Sequence, residues 1–296
     1  FDYDADGDLD IFVGGRTVPG KYPTAPQSLI LKNDKGTFSN ITQSVAPDFE
    51  KIGMMTDLKM ADLDQDGKEE LIVLGEWMPI SIFSYDGKKF NNVTSKYGLQ
   101  NTSGWWNCFA LEDFDKDGDL DIIAGNLGEN SRIKASNNQP IKIYANDFDG
   151  NGSLDAVMTF DHQGKQLPYA GRDHLFLQLP GIKRNFNRYN TYAKADITAI
   201  FPKEKLASAQ VLEARLMSSV LLKNEGGKFS ITKLLREAQI APTHEIMTSD
   251  FNGDGNIDAL MIGNNNGAET ESGVYDASNG TLLLGDGKGG FSFSPN

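Results

Sequence analysis

The stretch DYDADGDLDIFVGG, residues 2–15, places five acidic side chains within nine residues and then turns apolar. The pattern D-x-[DN]-x-[DN]-G-x-x-[DE] returns four times, as DLDQDGKEE from Asp62, DFDKDGDLD from Asp113, DFDGNGSLD from Asp147 and DFNGDGNID from Asp250. We number these segments loops 1 to 5; they cover residues 2–10, 62–70, 113–121, 147–155 and 250–258. Five such segments in one chain indicate a structural repeat rather than unrelated polar turns.

The spacing inside each loop predicts a calcium site. Oxygen side chains at positions 1, 3, 5 and 9 can converge on one centre, and the glycine at position 6 permits the sharp turn that this requires. The backbone carbonyl at position 7 adds another oxygen, and carboxylate-rich oxygen ligands on a flexible loop suit calcium. No loop contains Cys or His, which argues against zinc and softer metals.

The candidate ligands therefore occupy positions 1, 3, 5, 7 and 9 of each loop, and up to five Ca²⁺ ions are predicted. They are Asp2, Asp4, Asp6, Asp8 and Asp10; Asp62, Asp64, Asp66, Lys68 and Glu70; Asp113, Asp115, Asp117, Asp119 and Asp121; Asp147, Asp149, Asn151, Ser153 and Asp155; and Asp250, Asn252, Asp254, Asn256 and Asp258. Loop 2 departs most from the pattern, with Glu69 at position 8 and Glu70 at position 9.

The acidity of the protein is concentrated in these loops. Positions 1, 3, 5 and 9 hold 18 carboxylates, whereas the formal net charge of the chain is −13, so the rest of the chain carries +5. Bound divalent cations would offset much of the negative charge. The acidic composition therefore does not require a basic partner.

The loops differ from EF-hand loops, which end in a bidentate Glu at position 12 and lie between two helices. Position 12 is here occupied by residues without a ligand atom, namely Val13, Val73, Ala124, Met158 and Met261. Short apolar runs, such as LIVLG and ALMIG, follow the loops and are typical of buried strands. The sequence therefore predicts a β-strand, not a helix, after each loop.

A second repeated element predicts β-hairpins between the loops. It is a β run, a glycine-containing turn and a Phe, as in LILKNDKGTF, SIFSYDGKKF, LLKNEGGKF and LLLGDGKGGF. We expect its four phenylalanines to pack in the core: Phe38, Phe90, Phe229 and Phe291. Strand, acidic loop, strand and hairpin together make a four-stranded blade, so we predict an all-β fold, a β-propeller of four-stranded blades with calcium-binding loops.

The spacing of the loops sets the expected blade count. Residues 1–296 are predicted to hold about five blades, and the spacing of 34 residues between loops 3 and 4 is short for a blade. We therefore expect loop 4 to lie within the blade that begins at about residue 104. Because the chain starts directly before a metal loop, we also expect it to be part of a larger propeller or a longer protein.

The blade-like repeats resemble the FG-GAP/VCBS repeat family, whose integrin-type propeller blades carry calcium loops of this kind. Segments such as SGWWNCFALEDFDKDGDLDIIAGNLGEN and YDASNGTLLLGDGKGGF also resemble bacterial VCBS proteins related to cartilage acidic protein, often found beside an ASPIC/UnbV module. The resemblance implies a cell-surface or extracellular binding module of the adhesion type, with a protein or glycan partner. It also implies, as an alternative, an accessory subunit of an outer-membrane nutrient-uptake complex.

Residues 170–206 break the β pattern and predict a short helical insertion. Apolar residues fall there at helical spacing, and Pro180 and Pro202 divide the segment. The segment is basic and contains several aromatic residues, which can dock a partner. We expect instead that most of these aromatic side chains pack on the propeller, and we expect no nucleic-acid partner for an exported calcium protein.

The sequence favours a protein without catalytic activity. His162, His174 and His244 lie in no recognised catalytic motif, and the paired carboxylates belong to the metal loops. The alternative is a polysaccharide lyase or hydrolase with a site in the central channel, since propellers also host enzymes. Trp105 and Trp106 could form a sugar-stacking platform, but at most one of them can face a ligand, because neighbouring residues of a strand point to opposite sides. We expect core packing instead.

Two features of composition concern the cellular location. The sequence contains no run of 18 apolar residues, so it predicts no transmembrane helix. Cytosolic calcium is too scarce to fill sites of extracellular grade, which bind at ~10⁻⁴–10⁻³ M. We therefore expect an exported protein, extracellular or on the bacterial cell surface. The single Cys108 is expected to be a buried, small apolar residue.

Overall fold

The computed structural model describes residues 1–268 and 272–295. Its strands are, in chain order, β1 Ile11–Val13, β2 Leu29–Asp34, β3 Thr37–Asn40, β4 Met54–Ala61, β5 Glu70–Met78, β6 Ser81–Tyr85, β7 Phe90–Asn92, β8 Gly104–Trp105, β9 Cys108–Glu112, β10 Asp121–Gly125, β11 Ile141–Asn146, β12 Asp155–His162, β13 Lys165–Pro168, β14 Gln210–Ala214, β15 Val220–Asn224, β16 Phe229–Lys233, β17 Glu245–Ser249, β18 Asp258–Ile262, β19 Thr281–Gly285 and β20 Phe291–Ser294.

The helices are short. They are α1 Thr42–Val45, α2 Arg172–Gln178, α3 Tyr189–Tyr192, α4 Ile197–Ile200 and α5 Lys203–Ala207, with 3₁₀ turns at Pro180–Arg184 and Arg236–Gln239. The predicted helical segment 170–206 thus contains four of these helices and one of the turns. Among the described residues, no helix is long and apolar enough to cross a membrane.

Within the described residues, the fold has five antiparallel sheets. Four of them have the sequential strand order of blades, although sheet 1 has only three strands: sheet 1 is β1–β2–β3, sheet 2 is β4–β5–β6–β7 with β8 also beside β5, sheet 3 is β9–β10–β15–β16, and sheet 4 is β17–β18–β19–β20. The fifth, which we call the inserted sheet, has the order β13–β12–β11–β14. The fold is therefore all-β and of the propeller type.

The inserted sheet interrupts sheet 3. The chain leaves β10, builds the inserted sheet and the helical segment, and returns to β15, which pairs with β10. We call residues 126–219 the insertion; its ends meet where Asn126 N donates to Ser219 Oγ at 3.1 Å. Its last strand, β14, pairs with β11 on the edge that faces away from β12, so the inserted sheet lacks the blade order.

The blades stack face to face through apolar clusters. One cluster lies between sheets 1 and 2, a second between sheets 2 and 3, and a third between sheets 3 and 4. Apolar area removed from water stabilises such stacks by about 25 cal/mol per Å². Two further clusters pack the helical segment on the inserted sheet, and the inserted sheet against sheet 2.

The first strands of neighbouring blades are also joined by side chains. The Asp57 carboxylate on β4 accepts a hydrogen bond from Phe109 N on β9 at 3.0 Å. Thr248 Oγ1 on β17 donates to Glu112 Oε1 on β9 at 2.7 Å. These bonds connect sheet 2 to sheet 3 and sheet 3 to sheet 4.

The predicted core positions are mostly confirmed. Phe90 and Phe229 are buried, and Phe291 packs edge-on against Phe114 with ring centroids 5.5 Å apart. The prediction is wrong for Phe38, which is 47% exposed, on the outermost strand of sheet 1. Cys108 is buried as predicted, and burial raises the pKa of its thiol to about 12.

The helical segment buries most of its aromatic residues. Phe186, Tyr192 and Phe201 lie in its cluster with the inserted sheet, and Phe201 stacks on Phe148 with centroids 4.1 Å apart. Tyr189 is the exception, since it is 63% exposed. The expectation that these side chains are packed is confirmed for the three buried ones, but they pack on the inserted sheet and not on a blade of the propeller.

Candidate metal centres

The acidic loops occupy the same place in each sheet. Loops 2, 3, 4 and 5 connect β4 to β5, β9 to β10, β11 to β12, and β17 to β18; loop 1 leads directly into β1. Each loop is thus followed by a strand, as the apolar runs predict. Because loops 2, 3 and 5 follow the first strands of stacked blades, they lie at one end of those strands.

All five loops adopt the same backbone turn. The glycines at position 6 have φ between +83° and +97°, a conformation that other residues adopt at a cost: Gly7, Gly67, Gly118, Gly152 and Gly255. Position 4 is also left-handed in every loop, although three of these residues are not glycine: Ala5, Gln65 and Lys116 have φ between +57° and +62°. Two left-handed residues per loop curl the chain around its own carboxylates.

Backbone amides then orient the carboxylates. In every loop the glycine N–H at position 6 donates to the position 1 carboxylate, at 2.8–3.1 Å. The N–H at position 7 donates to the side-chain oxygen at position 5, at 2.7–3.0 Å. The second carboxylate oxygen of these side chains is left to other partners, except at Asn151, which has a single side-chain oxygen and donates its amide N–H to Asp149. The position 7 side chains differ in chemistry, which agrees with a role for their backbone rather than their side chains.

Four loops bring three carboxylates together, with one oxygen from each within 4.8 Å of the others. The groups are Asp2, Asp4 and Asp6; Asp62, Asp64 and Asp66; Asp113, Asp115 and Asp121; and Asp147, Asp149 and Asp155. Three oxygens in loops 1 and 2 are buried without any hydrogen-bond partner: Asp4 Oδ1, Asp62 Oδ1 and Asp64 Oδ1. Buried oxygens of carboxylates carry a large penalty unless a cation or donor pairs with them. The residues present therefore fit a hard divalent cation.

Loop 5 is arranged differently. Within the described residues its carboxylates, Asp250, Asp254 and Asp258, form no such group. Asn252 at position 3 is tied inside the loop, since its amide donates to Asp254 Oδ2 at 2.9 Å and its oxygen accepts from Asp254 N at 2.9 Å. Among the five loops, loop 5 thus lacks a charged oxygen at position 3.

The ninth residue of each loop fastens the loop to its sheet. Its carboxylate is buried in all five loops, at Asp10, Glu70, Asp121, Asp155 and Asp258. One oxygen accepts the N–H of position 2, at 2.9–3.3 Å. In loops 1, 3 and 5 the other oxygen accepts a backbone N–H from the strand that pairs with the strand after the loop, at 2.8–2.9 Å: Asn33 on β2, Asn224 on β15 and Gly285 on β19.

The loop geometry agrees with a comparison of the sequence with known families. The sequence model of the FG-GAP-like repeat matches residues 2–73 and again residues 62–124, a span that includes loops 1, 2 and 3. Residues 2–124 therefore consist of FG-GAP-like repeats. FG-GAP repeats form propeller-type modules that typically bind other molecules. No curated protein matches the chain significantly.

In loops 1, 2 and 3, a lysine side chain contacts the carboxylate at loop position 3. Lys32 bonds to Asp4, Lys223 bonds to Asp115, and Lys96 Nζ lies 2.7 Å from Asp64 Oδ2. Hydrogen bonding from Lys96 lowers the pKa of Asp64 below its ordinary range. These lysines supply positive charge at the place where a cation is expected, and they neutralise part of the carboxylate charge.

Sequence reasoning missed these lysines, although two of the hairpins carry a short sequence motif that includes them. Lys32–Asn33 and Lys223–Asn224 both stand in an LKN triplet just before the hairpin turn. In each triplet the lysine contacts the position 3 carboxylate, and the asparagine N–H bonds to the position 9 carboxylate. The triplet therefore connects the hairpin of a blade to its acidic loop.

Burial opposes ionisation at the ninth position of several loops. It raises the pKa of Asp121 to about 6, and it also raises the pKa values of Glu70 and Asp155. Because the pKa of Asp121 is higher in the folded than in the unfolded state, the protonated carboxyl stabilises the folded protein at low pH. This stabilisation is lost as the pH rises through about 6. A bound cation would reverse that penalty, because it favours the ionised carboxylate.

Asp115→Ala tests whether the third position of loop 3 contributes to a metal site. We expect the variant to lose about 2 kcal/mol of calcium-dependent stability, the order expected for one occupied site. Asp276→Ala is the matched control, because Asp276 is exposed and outside the loops. Urea unfolding in excess calcium measures both; equal losses in the two variants would count against a ligand role for Asp115.

Proposed function

We propose that this FG-GAP repeat protein is a calcium-stabilised binding module without catalytic activity. The observation that carries the proposal is the convergence of three carboxylates in each of four loops, with oxygens within 4.8 Å of one another. Oxygen-only donor sets of this kind suit calcium, which accepts six to eight oxygens in flexible geometry. Position 1, 3 and 5 side chains would hold the ion, with Asp121 and Asp155 added in loops 3 and 4.

The role proposed for the ion is structural. When bound, calcium supplies positive charge that neutralises the loop carboxylates and joins the two strands on either side of the loop. Because such a site is complete only in the folded chain, the binding free energy adds to the free energy of unfolding. Hydrogen bonds from the backbone N–H groups of positions 6 and 7 already hold the side chains of positions 1 and 5 in place. Calcium binding therefore needs to order these side chains little.

The absence of catalysis is part of the proposal. The carboxylates closest to one another are bonded to backbone amides and lysines, and hydrogen bonding holds the pKa values of Asp6, Asp147 and Asp254 below their ordinary range. A general acid needs the opposite shift. The carboxyl with a pKa near 6, Asp121, is fully buried and bonded to two backbone amides.

The expected setting is outside the cytoplasm, at the cell surface, where calcium is abundant enough to fill such sites. A protein or glycan is the proposed partner. A subunit of an outer-membrane uptake complex is one protein partner of this kind. A pull-down from membranes of the source cell, with calcium and then with chelator, tests this: a stoichiometric partner lost on chelation supports a calcium-held docking module.

Isothermal titration calorimetry tests the metal proposal directly. We expect calcium to bind the chelator-treated protein at about four sites, and magnesium to bind more weakly because it requires a stricter octahedral geometry. Asp62→Ala combined with Asp147→Ala should remove two sites from the stoichiometry. No heat of binding, or equal stoichiometry in the double variant, would contradict the assignment.

A further inference from the structure

A cavity of about 790 Å³ lies at the end of the blades opposite the acidic loops. Its volume is within the ~300–1,000 Å³ range of small-molecule sites. Asn107 and His244, which line it, directly precede β9 and β17, whereas loops 3 and 5 follow the other ends of those strands. The cavity is therefore separate from the candidate metal centres.

The insertion forms one wall of the cavity. Leu127 and Ile133 lie near its beginning, Met158 is on β12, and His174 and Gln178 are on α2. The opposite wall comes from sheets 1, 2 and 4 and from the segment that precedes β19. The interruption of sheet 3 thus creates the concave surface.

Aromatic rings and uncharged polar groups both line the cavity. The rings are Trp105, Tyr169 and Tyr275, and the polar side chains include Asn107, Asn265 and Ser272. The Trp105 ring is held in place by Trp77, edge-on with centroids 5.3 Å apart. Its neighbour Trp106 is fully buried and donates Nε1–H to Thr102 O at 2.8 Å, so Trp105 is the member of the pair that faces the cavity.

The cavity has no fixed net charge. Its charged lining residues, apart from the two histidines, are Arg16 and Glu76, which pair with each other at 2.5 Å. Tyr22 OH also donates to Glu76, at 3.2 Å. A charged ligand would therefore meet no unpaired counter-charge on these two residues, which favours an uncharged ligand.

Two polar atoms of the lining aromatic residues are buried without a partner among the residues that the structure describes. They are Trp105 Nε1 and Tyr275 OH, and the Tyr275 side chain is only 8% exposed. Buried indole N–H and phenol O–H groups ordinarily find a hydrogen-bond partner, and leaving one unsatisfied is unfavourable. A ligand with several hydroxyl groups can accept from the indole and exchange a bond with the phenol after a small side-chain rotation.

We propose that this cavity binds an uncharged carbohydrate. A sugar ring presents an apolar C–H face that packs against an aromatic ring, and its rim of hydroxyls meets amide, hydroxyl and imidazole side chains. Trp105 is the stacking platform, and Tyr275 is the hydrogen-bonding group that selects hydroxyl-bearing ligands. The inference rests on the proposed binding function and names its ligand class; it does not depend on the metal sites.

An array of uncharged oligosaccharides, followed by titration of the best binder with calorimetry and tryptophan fluorescence, tests the assignment on the intact calcium-loaded protein. Trp105→Ala should weaken binding about tenfold, the loss expected for one stacked ring with its hydrogen bond. Tyr275→Phe should weaken it about fivefold without lowering the melting temperature, because the phenol has no partner in the free protein. Tyr189→Ala, an exposed aromatic residue outside the cavity, is the matched control and should bind like the unchanged protein.

Several outcomes would overturn the proposal. No binding to any uncharged glycan on the array would do so, as would equal affinities of Tyr275→Phe and the unchanged protein. Tighter binding of uronate-containing than of neutral oligosaccharides would reject the uncharged class. Absence of sugar binding together with intact calcium binding would reject this inference alone, whereas sugar binding without calcium binding would reject the metal proposal and support the cavity.

Discussion

We expect chelation of calcium to lower the melting temperature of the protein by about 15–20 °C. Each site stabilises the folded state by ~2.7 kcal/mol when the ion is at 100 times its dissociation constant, so four sites contribute ~11 kcal/mol. With an unfolding entropy of ~2.1 cal/mol/K per residue near the melting temperature, a chain of 296 residues shifts by ~1.6 °C per kcal/mol. Differential scanning calorimetry in calcium and in chelator measures the shift.

Two controls define the interpretation of that experiment. Re-addition of calcium should restore the melting temperature, whereas the same concentration of magnesium should restore it only in part. A protein that melts at the same temperature with and without chelator would contradict a stabilising role of the ion. Sodium chloride at matched ionic strength controls for general screening of the loop carboxylates.

The second large effect is expected from Asp121→Ala. Asp121 is fully buried, and its oxygens accept Phe114 N at 3.2 Å and Asn224 N at 2.8 Å. The substitution leaves two backbone N–H groups without acceptors, each at a loss of ~1–3 kcal/mol, so we expect about 4 kcal/mol less stability even in chelator. Urea unfolding of the metal-free protein isolates this loss from the loss of the ion.

Asp121→Asn is the matched variant, because it keeps the shape and one acceptor oxygen. It should lose roughly half as much stability as Asp121→Ala, since its amide group cannot accept from the second N–H. If Asp121→Ala unfolds like the unchanged protein in chelator, then the ninth position acts only through the metal. That result would contradict its role in fastening the loop to the third strand.

Local spacing predicted the loops well because their chemistry is local. A carboxylate at position 1 and a glycine at position 6 form the turn within six residues, so their pattern in sequence is also their geometry in space. The strand after each loop followed from apolar runs for the same reason. The lysine that contacts the position 3 carboxylate was missed because it belongs to a hairpin that is distant in sequence. In loop 1, Lys32 bonds to Asp4, 28 positions earlier.

Long-range pairing could not be predicted from spacing. The spacing of loops 3 and 4 led us to expect loop 4 within the blade that begins at about residue 104, whereas the strands on either side of loop 4 belong to a sheet of their own. The Trp105–Trp106 pair was recognised, and alternation indicated that one ring at most faces a ligand. Which of the two does so depends on how the insertion folds over sheet 2, which no local pattern encodes.

The interruption of sheet 3 also has a consequence for how the chain folds. Ile122 of β10 pairs with Leu222 of β15, so one strand must wait for a partner 100 positions later. At a synthesis rate of ~5–20 residues per second, the edge of β10 stays unpaired on the ribosome for ~5–20 s. Early folding of residues 126–219 would shorten the effective chain between the two strands and lower the entropy loss of joining them. Sheet 3 would then be completed after the insertion that divides it.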